Sequence, residues 1–248
     1  MTEFLLLTLY APTASWGDIA VGEIRGSWDR PSRSAVLGLI AAGLGIDRAD
    51  HQAHEALEAG YGLAVRLDRP GVAMVDYHTA QTVPQSAAKK VVGQPRSVVL
   101  AAGEPETMLS WRTYRQDALA TAALWAQPGA RWTLDQLGDA LRHPEFVLYA
   151  GRKASPLGLP LDPVVVRADT LLGALVQRPA QGVPLEWPAA AGAAEANAEV
   201  AHDPCEGFES GLRRLRRESR RDGGAHRGRW QFAERIVEIG IAPGEAEP

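Results

Sequence analysis

The sequence predicts an α+β protein interrupted in its first half by a long excursion. Three observations carry this. Residues 3–10, EFLLLTLY, form an apolar run of strand length, residues 31–46, PSRSAVLGLIAAGLGI, repeat apolar residues at helical spacing, and residues 78–114 carry neither period. Beyond the excursion, strand-like and helix-like segments alternate again, as they do where helices pack against a sheet.

The run EFLLLTLY reads as a buried strand: it is too short for a membrane span and lacks the basic start of a signal peptide. A turn-rich stretch with Pro12, Trp16, Gly17 and Gly22 follows, in which Trp16 reads as packing rather than as a ligand. The first helix puts Val36, Leu37, Ile40, Ala41 and Leu44 on one face, with Ser32 or Ser34 as its N-cap and Gly45 as its stop. Residues 53–59, AHEALEA, read as a short second helix ending at Gly60. In YGLAVRL, residues 61–67, Tyr61, Leu63, Val65 and Leu67 alternate as in a half-buried strand, and a DRPG turn leads into VAMVDY. The first 77 residues thus read strand–helix–strand–strand.

From His78 to about Tyr114 the chain is broken by Pro84, Gly93, Pro95, Gly103 and Pro105. An excursion this long inside a compact domain is functional or disordered. It carries Lys89, Lys90, Arg96, Arg112 and Arg115 against Glu104 and Glu106, which suits a basic arm. LATAALWA, residues 119–126, fits strand or helix, and TLDQLGDALR, residues 133–142, is a helix with a capping-box pair in Thr133 and Gln136. FVLYA, residues 146–150, is strand-like, and DTLLGALVQ, residues 169–177, is a helix capped by Asp169. Residues 179–204 are rich in alanine, proline and glycine and lean acidic, whereas RRLRRESRR places six arginines within residues 213–221. That run fits a solvated helix face, a disordered loop or a contact with backbone phosphates. The final apolar run of RWQFAERIVEIGI can return to the sheet.

Composition limits the function classes. A chain of 248 residues that is 46% hydrophobic can form one large domain or two small ones. A lone cysteine, Cys205, allows no internal disulfide, so the cytoplasm is the expected compartment. A net charge of −4 excludes a protein that is basic throughout, so a nucleic-acid site would rest on a local patch. Only Lys89, Lys90 and Lys153 among the 26 cations are lysines, a bias that codon usage in a GC-rich genome explains. The histidines at 51, 54, 78, 143, 202 and 226 form no recognisable ligand set with Cys205, so no metal and no cofactor are expected. The stretch YAGRKASP, residues 149–156, combines an aromatic residue, a glycine, two adjacent cations and a hydroxyl in one short loop, which suits an anion.

Six stretches together carry a resemblance. APTASWG, RPSRSAVLGLIAAGLGI, VDYHT, SWRTYRQDA, LYAGRKASPL and QFAER, in this order, resemble the CasD family of subunits of Cascade, the type I-E CRISPR surveillance complex, within the repeat-associated mysterious protein (RAMP) superfamily. The resemblance covers residues 1 to about 178, returns at 231–240 and is weak across 180–230. It implies a ferredoxin-like (RRM-like) palm with a protruding β-rich thumb: palm over residues 1–77, thumb over 78–114, and palm again over 115–248 with a poorly matched insertion at 180–230. It also implies a protein that holds the 5′ handle of CRISPR RNA, caps the filament of Cascade backbone subunits, seats the large subunit and meets target DNA through the complex, with no membrane involved.

On this expectation the anion is an RNA backbone. Held single-stranded RNA needs cations for phosphates, flat groups for unstacked bases and close backbone approach. Tyr149 offers a plane, Gly151 close approach, Arg152 and Lys153 phosphate contacts, and Ser155 a polar contact. Arg33 and Ser34 stand where a helix N-terminus could share a phosphate, and Arg112 beside Trp111, with His78, Lys89 and Lys90, would contact RNA from the thumb. The rival expectation is a metal-independent endoribonuclease that processes precursor CRISPR RNA. In a related CRISPR subtype the counterpart cuts with a Tyr, Lys and His set, for which Tyr77, His78 and Lys89 or Lys90 would stand here. Type I-E systems give that step to a separate subunit, so the resemblance implies binding without a catalytic residue.

Overall fold

The computed structural model describes residues 1–178, 198–226 and 231–243. Most of the acidic alanine-rich stretch, and residues 227–230, lie outside them. One mixed sheet, almost wholly antiparallel, dominates the fold. Its strands are β1 (Thr2–Ala14), β2 (Ile24–Arg25), β3 (Tyr61–Arg69), β4 (Val72–Thr82), β5 (Glu106–Ala126), β6 (Val164–Ala168), β7 (Val200–His202), β8 (Arg213–His226) and β9 (Gln231–Ile241). They run in the order β6-β1-β5-β3-β7-β9-β8, with β2 and β4 paired to β5 off this path. The helices are α1 (Arg33–Gly43), α2 (His51–Gly60), α3 (Gln85–Ala88), α4 (Arg96–Ala101), α5 (Leu134–Arg142) and α6 (Leu171–Val176). Among the described residues no helix is long and apolar enough to cross a membrane.

Strand β5, 21 residues long, divides the molecule. Its second half lies between β1 and β3, with Leu124 opposite Leu5 on one side and Leu63 on the other. LATAALWA is therefore strand, and it is buried on both faces. Leu5, Leu7, Leu9, Ala122 and Leu124 pack with α1 and α5 on one face, and Phe4, Leu6, Ala64, Ala123 and Trp125 pack with α6 on the other. The same two-sided cover corrects the half-buried alternation expected for YGLAVRL, since every residue from Tyr61 to Arg66 is buried. Gly62 is required there because a Cβ would stand 2.1 Å from the Trp125 ring.

The first half of β5 leaves this core. It pairs with β4 from Gln116 opposite Val72 to Glu106 opposite Thr82, making a hairpin whose far end carries α3 and α4. The excursion thus continues the strands on either side of it rather than lacking structure. Of the described side chains from 83 to 107, none is buried.

Local signals fared unevenly. Ser32 caps α1, its hydroxyl accepting the Ala35 N–H, and Gly45 at φ +69° follows the helix. The Thr133–Gln136 capping box of α5 is formed. At α6 the cap is Thr170, whose Oγ1 accepts the Gly173 N–H at 2.9 Å, and not Asp169, which instead lies 3.5 Å from the N-terminal amine. FVLYA is not a strand. Only Tyr149 bridges to Pro156, and Phe146 and Val147 are exposed with no sheet neighbour to cover them. The run RRLRRESRR is neither helix nor loop but strand β8, paired along its length with β9.

Candidate nucleic-acid interface

The loop YAGRKASP is a tight turn fastened to the end of β1. The Ala150 N–H donates to the Ser155 carbonyl at 2.7 Å, the Ser155 N–H to the Arg152 carbonyl at 2.8 Å, and the Ser15 N–H to the Ala150 carbonyl at 3.0 Å. Gly151 sits at φ +85° with its Cα side against Ser15, so that a Cβ would fall 1.7 Å from the Ser15 carbonyl oxygen. The glycine therefore serves backbone packing inside the protein rather than approach to a ligand. Ser155 is fully buried. The turn presents Arg152 and Lys153 at its tip, and Tyr149, half-buried, at its base.

Next to the tip stands the base of the hairpin. The Arg152 guanidinium lies 4.5 Å over the Tyr114 ring and donates one N–H to the Arg25 carbonyl at 3.3 Å, while its buried Nη1 has no hydrogen bond among the described residues. Arg25 on β2 is in parallel register with Arg112 on β5, so the two side chains leave the same face as neighbours. Among the described residues Arg112 donates to the Ser110 hydroxyl alone, at 3.1 Å, and Lys153 has no ion pair. Like charges side by side on a sheet repel one another. Arg25, Arg112, Arg152 and Lys153 form such a group, and among the described residues none of them has a carboxylate in ion-pair contact, although Asp76 stands opposite Arg112 across the β4–β5 pair. His78 lies on the same face two positions along β4, its Nε2 2.9 Å from Asp76.

The arginines of β8 behave in the opposite way. Arg214 and Arg217 share Glu238, Arg216 is held by Glu199 and Glu218, and Arg220 pairs with Glu218 while stacking 4.5 Å over Trp28. The Arg216 hydrogen bond, working with Arg30 against burial, holds the Glu199 carboxyl below the usual carboxylate range. Most of this run thus binds one part of the fold to another.

Arg33 also turns inward. It is 5% exposed, its Nε donates to Glu58 at 2.8 Å, its Nη1 to Asp203 at 2.6 Å, and its Nη2 to the carbonyls of Glu58 and Tyr61 at 2.6 and 2.7 Å. Its own backbone N–H, the first of α1, donates to Asp222 at 2.8 Å. A carboxylate of the protein thus occupies the place expected for a phosphate, and Arg235 bridges Asp222 to Asp203 from β9.

Between loop 149–156, the Trp16–Ala20 turn, the start of α1 and the β8–β9 hairpin runs a groove made of two adjoining cavities of about 360 and 420 Å³. Trp16, Gly17, Asp18, Ala20, Ser32, Ser34 and Phe232 belong to both, Arg25, Gly151 and Arg152 to the first, and Trp28 and Arg221 to the second. A groove with apolar walls and cations at its edge can take a strand of nucleic acid, with bases inside and phosphates outside.

The family model for CRISPR-associated protein (Cas_Cas5) matches residues 4–238. The chain belongs to the Cas5 family. The CRISPR system Cascade subunit CasD of Escherichia coli (strain K12) is 34% identical over 169 residues, which are 65% of this chain and 70% of that protein. A chain of a solved CRISPR RNA-guided surveillance complex superposes with a TM-score of 0.63 at 25% identity, over 96% of this chain and 90% of that one. The crystal structure of another Cas protein superposes with a TM-score of 0.59 at 24% identity, over 98% of this chain and 96% of the other, and speaks for the fold alone.

Of the residues singled out in the sequence of this Cas5 family member, Arg112, Gly151, Arg152 and Lys153 come together, with His78 beside Arg112 and Ser34 across the groove. Arg33 and Ser155 are buried. Lys89 and Lys90 lie beyond α3, at the far end of the hairpin. Tyr77 and His78, neighbours in a strand, leave opposite faces, and Tyr77 packs on Trp111 with ring centroids 5.3 Å apart. Arg25, Tyr114 and Phe232 were not singled out in the sequence, and Arg221 only as the last member of the arginine run 213–221. Arg25 had no signal beyond its charge, because only the pairing of a two-residue strand sets it beside Arg112.

Proposed function

We propose that this chain is a non-catalytic RNA-binding subunit of a Cascade-type CRISPR surveillance complex, holding the 5′ handle of the CRISPR RNA. The observation that carries this reading is the group Arg25, Arg112, Arg152 and Lys153, brought together beside the groove by strand pairing and the 149–156 turn and without an ion pair among the described residues. Four neighbouring positive charges outnumber the carboxylates beside them, Asp76 opposite Arg112 and Asp18 in the groove, so a polyanion stabilises them, and the adjoining groove suits unstacked bases. The CasD relative and the matched chain of the surveillance complex support the same assignment.

In this reading the order β6-β1-β5-β3, with helices between β1 and β3 and between β5 and β6, is the βαββαβ arrangement of a ferredoxin-like palm. The β4–β5 hairpin with α3 and α4 is the thumb. Its exposed Lys89 and Lys90 and its exposed aromatic pair would meet RNA or the neighbouring backbone subunit. The palm would cap the backbone filament and help seat the large subunit, and target DNA would be reached through the assembled complex. The opposed directions of Tyr77 and His78 favour binding over cleavage, because an acid and a base must reach the same phosphodiester.

The test is co-expression with the other Cascade subunits and a CRISPR RNA. The chain should elute in a large RNA-bearing particle, and a free, RNA-less chain beside an assembled complex would refute the proposal. In the isolated protein, Arg152→Ala with Lys153→Ala should weaken binding to handle-bearing RNA and lower the salt slope by about one unit per lost phosphate contact. Precursor RNA should remain uncut. A discrete cut that disappears in His78→Ala, with RNA binding intact, would move the assignment to the nuclease.

A further inference from the structure

The groove between the Trp16–Ala20 turn and the β8–β9 hairpin has chemistry that phosphate binding does not use. Phe232 lines both of its cavities and presents an apolar plane in each. Trp28 is closed on one side by Arg220, 4.5 Å from its ring. Trp16 also lines both cavities, is 2% exposed, and its buried indole N–H has no hydrogen-bond partner among the described residues. A buried donor left unsatisfied destabilises a fold by about 1–3 kcal/mol, so a partner supplied from outside is favoured.

Asp18 is the second unusual member. Its Oδ1 accepts the Ile19 N–H at 2.7 Å, while its Oδ2 makes no hydrogen bond among the described residues. A carboxylate inside a phosphate-binding groove repels phosphate, so it suits a different part of the ligand. The cations stand apart from it in function: Arg25 and Arg152 line one cavity, and Arg221 lines the other. The groove therefore offers an acceptor and a lone donor within an aromatic wall, and cations beside them.

We propose that this groove receives one unstacked RNA base and selects guanine. Guanine presents two adjacent N–H donors, N1–H and the exocyclic amino group, to a carboxylate such as Asp18, and a carbonyl oxygen beside them to an N–H donor such as Trp16. Phe232 supplies the stacking plane. Uracil offers one N–H flanked by two carbonyls, one of which would face the carboxylate. The phosphates on either side of the base fall to Arg25, Arg152 and Arg221. The proposal rests on the reading of the chain as an RNA-binding subunit and adds a base-selective pocket to it.

The β8–β9 hairpin brings Phe232 and Arg221 to the groove, and the Arg33–Asp222–Arg235 network fastens that hairpin to α1. The pocket wall thus depends on residues remote from it in sequence.

The experiment uses the full chain and single-stranded oligouridine probes of about eight nucleotides, a length within the usual span of such sites, either unmodified or carrying one internal guanosine. Binding is read by fluorescence anisotropy. The guanosine probe should bind about tenfold more tightly, within the range of one bidentate base contact. Asp18→Asn should erase that preference, because the amide loses the paired contact with guanine and no longer repels the uracil carbonyl or the phosphates. Phe232→Ala should weaken both probes. Equal affinity of the wild-type chain for the two probes, or a preference that survives in Asp18→Asn, would overturn the pocket and leave the RNA-binding reading intact. If neither probe nor handle-bearing RNA binds, both readings fall together.

Discussion

Replacing Arg33 with alanine separates a structural role from an RNA-binding one. The side chain is 5% exposed and makes four hydrogen bonds, to the carboxylates of Glu58 and Asp203 and to the carbonyls of Glu58 and Tyr61. Its removal leaves two carboxylates short of a partner and two carbonyls without a donor. Breaking a buried ion pair from one side costs about 3–5 kcal/mol. Asp203 keeps Arg235 and a hydrogen bond from the Leu63 N–H, and Glu58 is partly open to water, so the lower end of that range applies. For a chain of this size about 3 kcal/mol lowers the melting temperature by roughly 6–12 °C. Urea unfolding and thermal melts of wild type and Arg33→Ala measure it directly, and RNA binding at low temperature, where the variant is still folded, should lose little and keep its salt slope. An unchanged urea midpoint together with a salt slope lower by about one unit would refute the reasoning and return Arg33 to the RNA.

Three further outcomes follow from the same structure. Gly151→Ala places a Cβ 1.7 Å from the Ser15 carbonyl oxygen at φ +85°, so the loop must part from β1. The melting temperature and RNA affinity should fall together, whereas a variant that loses neither would show that the loop is not held as described. Excising residues 83–105 and closing the β4–β5 hairpin with a short Gly-Ser turn removes no buried side chain among those described. The truncated protein should melt within a few degrees of wild type yet fail to enter an RNA-bearing particle, and normal assembly would contradict the thumb assignment. Burial, aided by Glu238 and Asp203, pushes the Cys205 thiol up to about 12. Since the thiolate is the reactive form, alkylation by iodoacetamide at pH 8 should run roughly a thousandfold slower than for free cysteine, with rapid labelling of the folded protein as the contrary result.

What the sequence by itself determined was whatever depends on neighbours in the chain. The spacing of Val36, Leu37, Ile40 and Ala41 dictated a helix with one buried face, Ser32 and Thr133 were legible as caps, and the turn around Gly151 announced two cations at its tip, Lys153 exposed and Arg152 half-buried. Those signals act over a few residues, so they need no knowledge of the rest of the molecule. Tertiary structure decided everything that depends on two-sided contact. Residues 61–67 alternate in sequence, yet both faces are buried because the sheet carries helices on each side. The arginines of β8 and the lone Arg33 have the same composition signal as Arg152, and only the fold sets carboxylates against Arg33, Arg214, Arg216, Arg217 and Arg220 and, among the described residues, none in ion-pair contact with Arg152. An arginine's charge is local, but whether it is available to a ligand depends on acidic groups as far away in the chain as Asp203 is from Arg33. The pairing of Arg25 with Arg112 and the placement of Phe232 in the same groove as Asp18 arise likewise from strand register and from the docking of a C-terminal hairpin, because contacts between segments so distant in the chain leave no periodic trace in the sequence.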